Sequence, residues 1–207
     1  ATPSQPIPIG LRLVCAKNSG ANVMQISATF FDCVHLLDVP RYPDERGWFS
    51  ESQHQQQYAD LLQLEAPVFV QSNVSHSHIN VLRGMHAQLT RPQGKLIQVL
   101  SGEIYDVFVD LRTDQASFGK WHGVRLSAQK SQQLWIPAGF AHGFLTLAQD
   151  TTVLYHCSDY YVPNDQVTLL WNDPDINIQW PSSHVNPVLS PKDQAGMTLK
   201  EYIKCAS

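Results

Sequence analysis

Over most of the chain apolar and polar residues alternate in short runs separated by turn-forming residues. In the clearest run, Glu103 to Leu111, Tyr105, Val107, Val109 and Leu111 fall on one face, and Ile104, Asp106, Phe108 and Asp110 on the other. A period of two predicts a β-strand. Lys95 to Leu100 is a second apolar strand, and Ser101-Gly102 between the two predicts a tight hairpin. Gln133 to Ile136, Phe144 to Leu147 and Thr152 to Cys157 read as further strands, with a turn at Pro137-Ala138-Gly139. Helical spacing is confined to Gln53 to Leu64, where Tyr58, Leu61, Leu62 and Leu64 form a partial apolar face, and to Met197 to Ile203. There is no βαβ alternation, internal repeat or low-complexity tract. Many short strands with a few short helices predict an all-β fold, a jelly-roll β-sandwich. Such folds bind ligands inside the roll or at its mouth.

Composition narrows this picture. The 207 residues suffice for one domain with a sizeable core. Residues 1–23 differ from the rest, with three prolines between Ala1 and Gly10 and no hydrophobic period. The expectation is a tail over 1–23 and a single domain over 24–207. A net charge of −4 argues against a nucleic-acid partner or a polybasic membrane anchor, yet leaves room for an anionic small ligand held by a few arginines. No apolar run approaches the roughly 20 residues of a membrane helix, and the N-terminus lacks a secretory pattern. Cys15, Cys33, Cys157 and Cys205 are scattered, which predicts reduced thiols and a cytoplasmic protein.

Candidate chemistry centres on histidine. His76-x-His78 with Pro137-x-Gly139-x-x-His142 resembles the two metal-binding motifs of cupins. Zinc or iron would require three or four ligands. No carboxylate follows within Ile79-Asn80-Val81-Leu82-Arg83, so the pattern favours a polar loop and no metal site. In Leu82-Arg83-Gly84-Met85-His86, a histidine with Arg83 and Lys95 nearby in sequence supplies what enolisation needs. Neutral imidazole accepts a proton near pH 7, and a cation stabilises the oxyanion that forms. The odd spacing of Arg83 and His86 would place them on opposite faces of a regular strand, unless Gly84 allows a bulge. Tyr155 shares a strand face with Val153 and Cys157, which by pattern alone suits a core tyrosine equally well. Arg46-Gly47-Trp48-Phe49-Ser50-Glu51 combines a cation, aromatics and a carboxylate, a weak hint of ligand binding.

Further segments join these: Asp44 to Glu51, Val70 to Ser75, Val81 to His86, Gln93 to Leu96, Leu134 to Phe144, Asp159 to Tyr161, Trp171 to Pro174 and Leu189 to Asp193. In this order, from about Met24 to Asp193, the chain resembles the dTDP-4-dehydrorhamnose 3,5-epimerase family. The resemblance implies a metal-free and cofactor-free jelly roll of the cupin type, a homodimer acting on a nucleotide sugar. It implies His86 as the base, Asp193 as its orienting carboxylate, and Tyr155 as the acid on the opposite face of the sugar. Lys95 and His142 would line the sugar and its keto oxygen. Arg46, Glu51, Gln71, Asn73, Arg83 and Lys192 would contact the nucleotide diphosphate, and Tyr161 would stack on the base. The implied reaction inverts C3 and C5 of dTDP-4-dehydro-6-deoxy-D-glucose. Ala87, Ser72 and Gln166 depart from the family pattern where an aromatic, an acidic residue and a carboxylate are usual. They leave open a single-centre epimerase of another 4-keto-deoxysugar. A metal-dependent cupin enzyme and a non-catalytic sugar-nucleotide binding module are the alternatives of other classes.

Overall fold

The computed structural model describes residues 23–64, 69–181 and 186–206. Apart from Val23, the expected tail lies outside the described residues, as does Cys15; Cys33, Cys157 and Cys205 are free thiols.

Two antiparallel sheets form a jelly-roll-like sandwich. The first runs, edge to edge, β1 (Gln25–Phe30), β2 (Val34–Asp38), β10 (Gln132–Ile136), β7 (Lys95–Ser101), β12 (Thr151–Cys157) and β5 (Gln71–Ser77). The second runs β13 (Gln166–Thr168), β6 (Leu82–Gln88), β11 (Phe140–Thr146), β8 (Glu103–Asp110) and β9 (Trp121–Ser127). A small exposed hairpin, β3 (Tyr42–Asp44) with β4 (Gly47–Phe49), stands apart. The helices are α1 (Gln55–Leu62), α2 (Pro191–Gln194) and α3 (Leu199–Ala206).

The two inner faces meet in one apolar layer. Ile97, Val99, Leu134, Ile136 and Val153 of the first sheet pack on Ile104, Phe108, Leu126, Phe140 and Phe144 of the second. Burying each such side chain contributes about 1.5–3 kcal/mol. The outer faces are covered as well. Val107, Val109, Met85 and Ala141 are buried against Leu169, Ile176, Ile178 and Tyr202 of the C-terminal segment. On the other side, Tyr58 and Leu62 of α1 pack on Leu37, Leu96 and Trp135. The alternating run at Glu103 is therefore apolar on both sides because each side feeds a different layer.

The helix expected over Gln53 to Leu64 is shorter at both ends. His54 caps α1 by accepting from the Gln57 N–H, and Gln63 ends it in the left-handed region at φ 53°. The strand expected from Phe144 begins earlier, at Phe140, directly after Gly139 at φ +94°.

One expectation fails. β7 and β8 do not form a hairpin; they lie in different sheets. Gly102 alone separates them, too short for the usual two-residue hairpin loop. At φ +78° it turns the chain across the sandwich, and an added Cβ would lie 2.3 Å from Thr151 Oγ1.

Candidate active site

Strand register explains which side chains share the space between the sheets. Directly paired residues point to the same face of a sheet. Cys157 pairs with both Gln71 and Lys95, and Tyr155 pairs with Asn73. These five residues face inward from the first sheet. From the second sheet His86 pairs with His142, Thr168 with His86 and Gln166 with Gln88. A cavity of about 270 Å³ opens between the two sets, lined among others by Gln71, Asn73, His86, Lys95, Tyr155 and Tyr161.

The spacing problem at Arg83 and His86 is resolved by a bulge. Phe144 and His142 of β11 pair with Arg83 and His86, so Gly84 and Met85 together oppose the single Gly143. Phe144 and His142 are two apart and share a face, and their partners therefore share it too. Gly84 has φ +120°, and a Cβ there would come within 2.5 Å of Gly143 Cα, so this corner requires glycine. Arg83 reaches across to the first sheet, with Nε donating to Ser77 Oγ at 3.0 Å and a terminal N–H to the His76 carbonyl at 3.2 Å.

His86 Nε2 lies 2.6 Å from Asp193 Oδ1, a contact spanning 107 residues. Asp193 is buried on α2. Ser190 caps that short helix, accepting from the Asp193 N–H at 3.1 Å and donating its hydroxyl to Asp193 Oδ2 at 2.9 Å. The Gly84 N–H also donates to this carboxylate. Burial pushes the Asp193 pKa up, but the hydrogen bonds from His86, Ser190 and Gly84 outweigh it and leave the group below the usual carboxylate range. Burial pulls the His86 pKa below its ordinary 6.5 despite the attraction of Asp193, and Lys95 and Lys192 add to the lowering. His86 is thus neutral at pH 7, with its Nε2–H given to Asp193 and Nδ1 left as the basic atom.

The opposite wall carries the complementary groups. Burial raises the Tyr155 pKa, while Arg83 opposes the rise, so the phenol keeps its proton at neutral pH. Burial lowers the Lys95 pKa, with Cys157 and Asp106 acting against it. Back on the His86 wall, its strand partner His142 places Nε2 2.9 Å from Asp106 Oδ2 and 3.1 Å from Oδ1, a second, buried histidine–carboxylate pair. At the rim, Gln71 Oε1 accepts from the Tyr161 N–H at 2.9 Å, and Gln71 donates to Asn73 Oδ1 at 2.9 Å. A neutral imidazole, a protonated phenol and an amine around one cavity can move a proton off and onto a carbon next to a carbonyl.

The structure therefore gathers His86, Asp193, Tyr155, Lys95, His142, Arg83, Lys192, Gln71, Asn73 and Tyr161 at one end of the sandwich. It does not bring Arg46 or Glu51 there. β2 delivers the chain to the opposite end of the sheet, since Asp38 pairs with Gln132 while Ile136, at the far end of β10, pairs with Lys95. Arg46 is 84% exposed and pairs with Asp44 on the β3–β4 hairpin; Glu51 lines a separate cavity beside α1. Ser72 points to the outer face, 2.7 Å from His156 Nδ1, so this departure cannot reshape the cavity; Ala87 and Gln166 do line it. His76 faces outward on β5 and bonds Thr152 at 3.1 Å, whereas His142 faces inward, so the cupin-like motifs are not assembled into one ligand set. Among the described residues no group of three or more His, Cys, Asp or Glu could hold a metal.

Sequence reasoning missed Asp106, Ser190, Cys157 and Gln88. Asp106 left a signal, a carboxylate on the apolar face between Ile104 and Phe108. Ser190-Pro191 ahead of Asp193 is a helix-start pattern, legible in retrospect.

Comparison with known proteins follows the same line. A family model described as dTDP-4-dehydrorhamnose 3,5-epimerase matches residues 29–201. The chain is 44% identical over 182 residues to the dTDP-4-dehydrorhamnose 3,5-epimerase of Salmonella typhimurium, covering 87% of this chain and 98% of that protein. It is 45% identical over 183 residues to that of Neisseria gonorrhoeae, where it spans 88% of this chain but only 55% of the relative's length. Its fold matches a crystal structure of a dTDP-6-deoxy-D-glucose-3,5-epimerase from Legionella pneumophila in complex with dTDP-4-keto-L-rhamnose. The TM-score is 0.82 at 43% identity, covering 86% of this chain and 94% of that one. The chain belongs to the dTDP-4-dehydrorhamnose 3,5-epimerase family.

Proposed function

We propose that the protein inverts C3 and C5 of dTDP-4-dehydro-6-deoxy-D-glucose to give dTDP-4-dehydro-L-rhamnose. The observation that carries this reading is the His86–Asp193 pair on one wall of a cavity whose other wall presents Tyr155 and Lys95. The C4 ketone acidifies the hydrogens on both neighbouring carbons. His86 Nδ1 takes one, and the enolate oxygen that forms is stabilised by the Lys95 ammonium with His142 beside it. The Tyr155 hydroxyl returns a proton to the opposite face, which inverts the centre. Arg83, close enough to lower the Tyr155 pKa, stabilises the phenolate left behind. His86, 31% exposed on its side chain, releases its proton to water and the Tyr155 phenolate takes one back before the second centre reacts. Arg83, Lys192, Gln71 and Asn73 supply the diphosphate contacts, and Tyr161 the surface for the base. The ketone serves as the electron sink, so no cofactor takes part.

The same reading includes a homodimer in the cytoplasm. Tyr42, Trp48 and Phe49 are 40%, 58% and 65% exposed on the β3–β4 hairpin, an apolar surface that a second copy would cover. Arg46 and Glu51, remote from their own chain's cavity, would then reach substrate only across that interface. The free thiols agree with a reducing compartment.

Incubation with dTDP-4-dehydro-6-deoxy-D-glucose in D₂O, read by NMR, tests the reaction. Deuterium at both C3 and C5 is expected. Label at one carbon only would mark a single-centre epimerase, binding without label a non-catalytic module, and loss of exchange with chelator a metal enzyme.

A further inference from the structure

Gln88 lies two residues beyond His86 on β6 and is buried, although its side chain is fully polar. Every hydrogen-bonding group of its amide is engaged by main chain. Nε2 donates to the Arg91 carbonyl at 2.7 Å and to the Tyr160 carbonyl at 3.2 Å, and Oε1 accepts from the Val162 N–H at 2.7 Å. The amide therefore joins two rim segments, one following β6 and one following β12. Its contacts fall on the residues on either side of Tyr161, whose own N–H is held by Gln71. Further bonds link the same two segments. Arg91 Nε donates to Asp159 at 3.0 Å, Gln93 donates to the Asp159 carbonyl at 2.7 Å, and the Thr90 and Arg91 N–H groups donate to the Asp165 carboxylate. Gln88 and Gln93 both line the cavity, and of the two Gln88 lies on the strand that carries His86.

We propose that Gln88 is a positioning residue that fixes Tyr161 relative to His86, so that docking of the nucleotide end brings the sugar end into line with the base. The proposal rests on the nucleotide-sugar reading of this site. One strand carries both the proton acceptor and the clip for the nucleobase platform, and a rigid strand transmits placement better than two loops do. An amide is required because two carbonyls and one N–H must be met from a single planar group. No apolar side chain supplies them, and a carboxylate would face two carbonyl oxygens.

Binding of dTDP, measured by calorimetry, tests this with Gln88→Met, Tyr161→Ala and the double variant. Loss of buried side chain–backbone bonds predicts dTDP binding weaker by about tenfold in Gln88→Met. Because Gln88 acts through Tyr161, the same change made in Tyr161→Ala should cost less than about twofold, the signature of coupled positions. KM for the nucleotide sugar should rise more than kcat falls. Gln88→Glu provides the second variant: dTDP binding should be weak at neutral pH and recover as the pH is lowered, because the protonated carboxyl regains a donor. A full tenfold loss persisting in the Tyr161→Ala background, or wild-type dTDP affinity in Gln88→Met, would overturn the proposal. Absence of dTDP binding by the wild-type protein would instead remove the nucleotide reading beneath it.

Discussion

Two histidine–carboxylate pairs stand side by side, built on neighbouring strands of the second sheet, and their surroundings differ. Asp193 receives hydrogen bonds from His86, Ser190 and the Gly84 N–H, and these hold its carboxyl below the usual range in spite of burial. Asp106 sits on the inner apolar face, where burial pushes its pKa up against the opposing pull of His142 and Lys95. The first is a settled anion that orients a neutral base. The second is a carboxylate for which charge is costly unless His142 or Lys95 carries the compensating proton. The same two residue types thus differ in how readily the carboxylate holds its charge, according to the groups around it.

The sharpest break of this contrast is His86→Ala. Solvent exchange at the substrate carbons should fall by at least about 10²–10⁴-fold, measured as deuterium wash-in. Next in size is Asp193→Asn, whose amide can donate to Nε2 and would force the proton onto Nδ1, the atom needed as base. A loss of roughly 10²–10⁴-fold in kcat is expected, with substrate affinity little changed, in single-turnover assays. Asp106→Asn should cost less, about tenfold in kcat, a step of about 1.4 kcal/mol in the barrier. Its thermal unfolding temperature should not fall, because a buried charge has been removed and the volume kept. Equal losses for the two Asn variants would erase the distinction between the pairs.

The smallest effects sharpen the comparison through pH. The acid limb of kcat/KM should have its midpoint below 6.5, because burial lowers the His86 pKa. In Ser190→Ala the midpoint should move upward, since a carboxylate with one donor fewer draws harder on the His86 proton. The rate at neutral pH should drop by less than about tenfold, and lost capping should cost about 1 kcal/mol in stability. The stability sign follows from the same lowered value. The unfolded chain takes up the His86 proton first, so stability should decline as the pH falls through 6.5 towards the folded-state pKa. Asp193, also lowered, adds a further decline at more acidic pH as its carboxylate is protonated. Denaturant titrations from pH 8 to about 2 should show both steps, with the upper one reduced in His86→Ala but not abolished, because burial also lowers the His35, His122 and His156 pKa values.

Much of this arrangement was legible along the chain. Alternation placed β7, β8, β10 and β12 to within a residue or so at each end, because a strand half-buried on each face records its neighbours in its own pattern. His86, Lys95 and Tyr155 were visible as reactive types within strands. The Ser101-Gly102 signal misled because local turn chemistry is the same whether the chain folds back beside itself or crosses to the opposite sheet. That choice belongs to the strands that flank β7 and β8, and these come from elsewhere in the sequence. Arg46 and Glu51 were named by their motif alone, and the chain's path carries these two to the far end of the sheet from their own chain's cavity.

By itself the sequence determined the all-β class, the strands and the residue types able to enolise a ketone, since these rest on short-range periodicity and side-chain chemistry. Tertiary structure alone decided that Gly84 bulges so that Arg83 and His86 share a face. It alone brought Asp193 across 107 residues to set the His86 tautomer, and buried Asp106 beside His142. A side chain's orientation and proton affinity depend on what surrounds it in space, and only the closed sandwich supplies those surroundings.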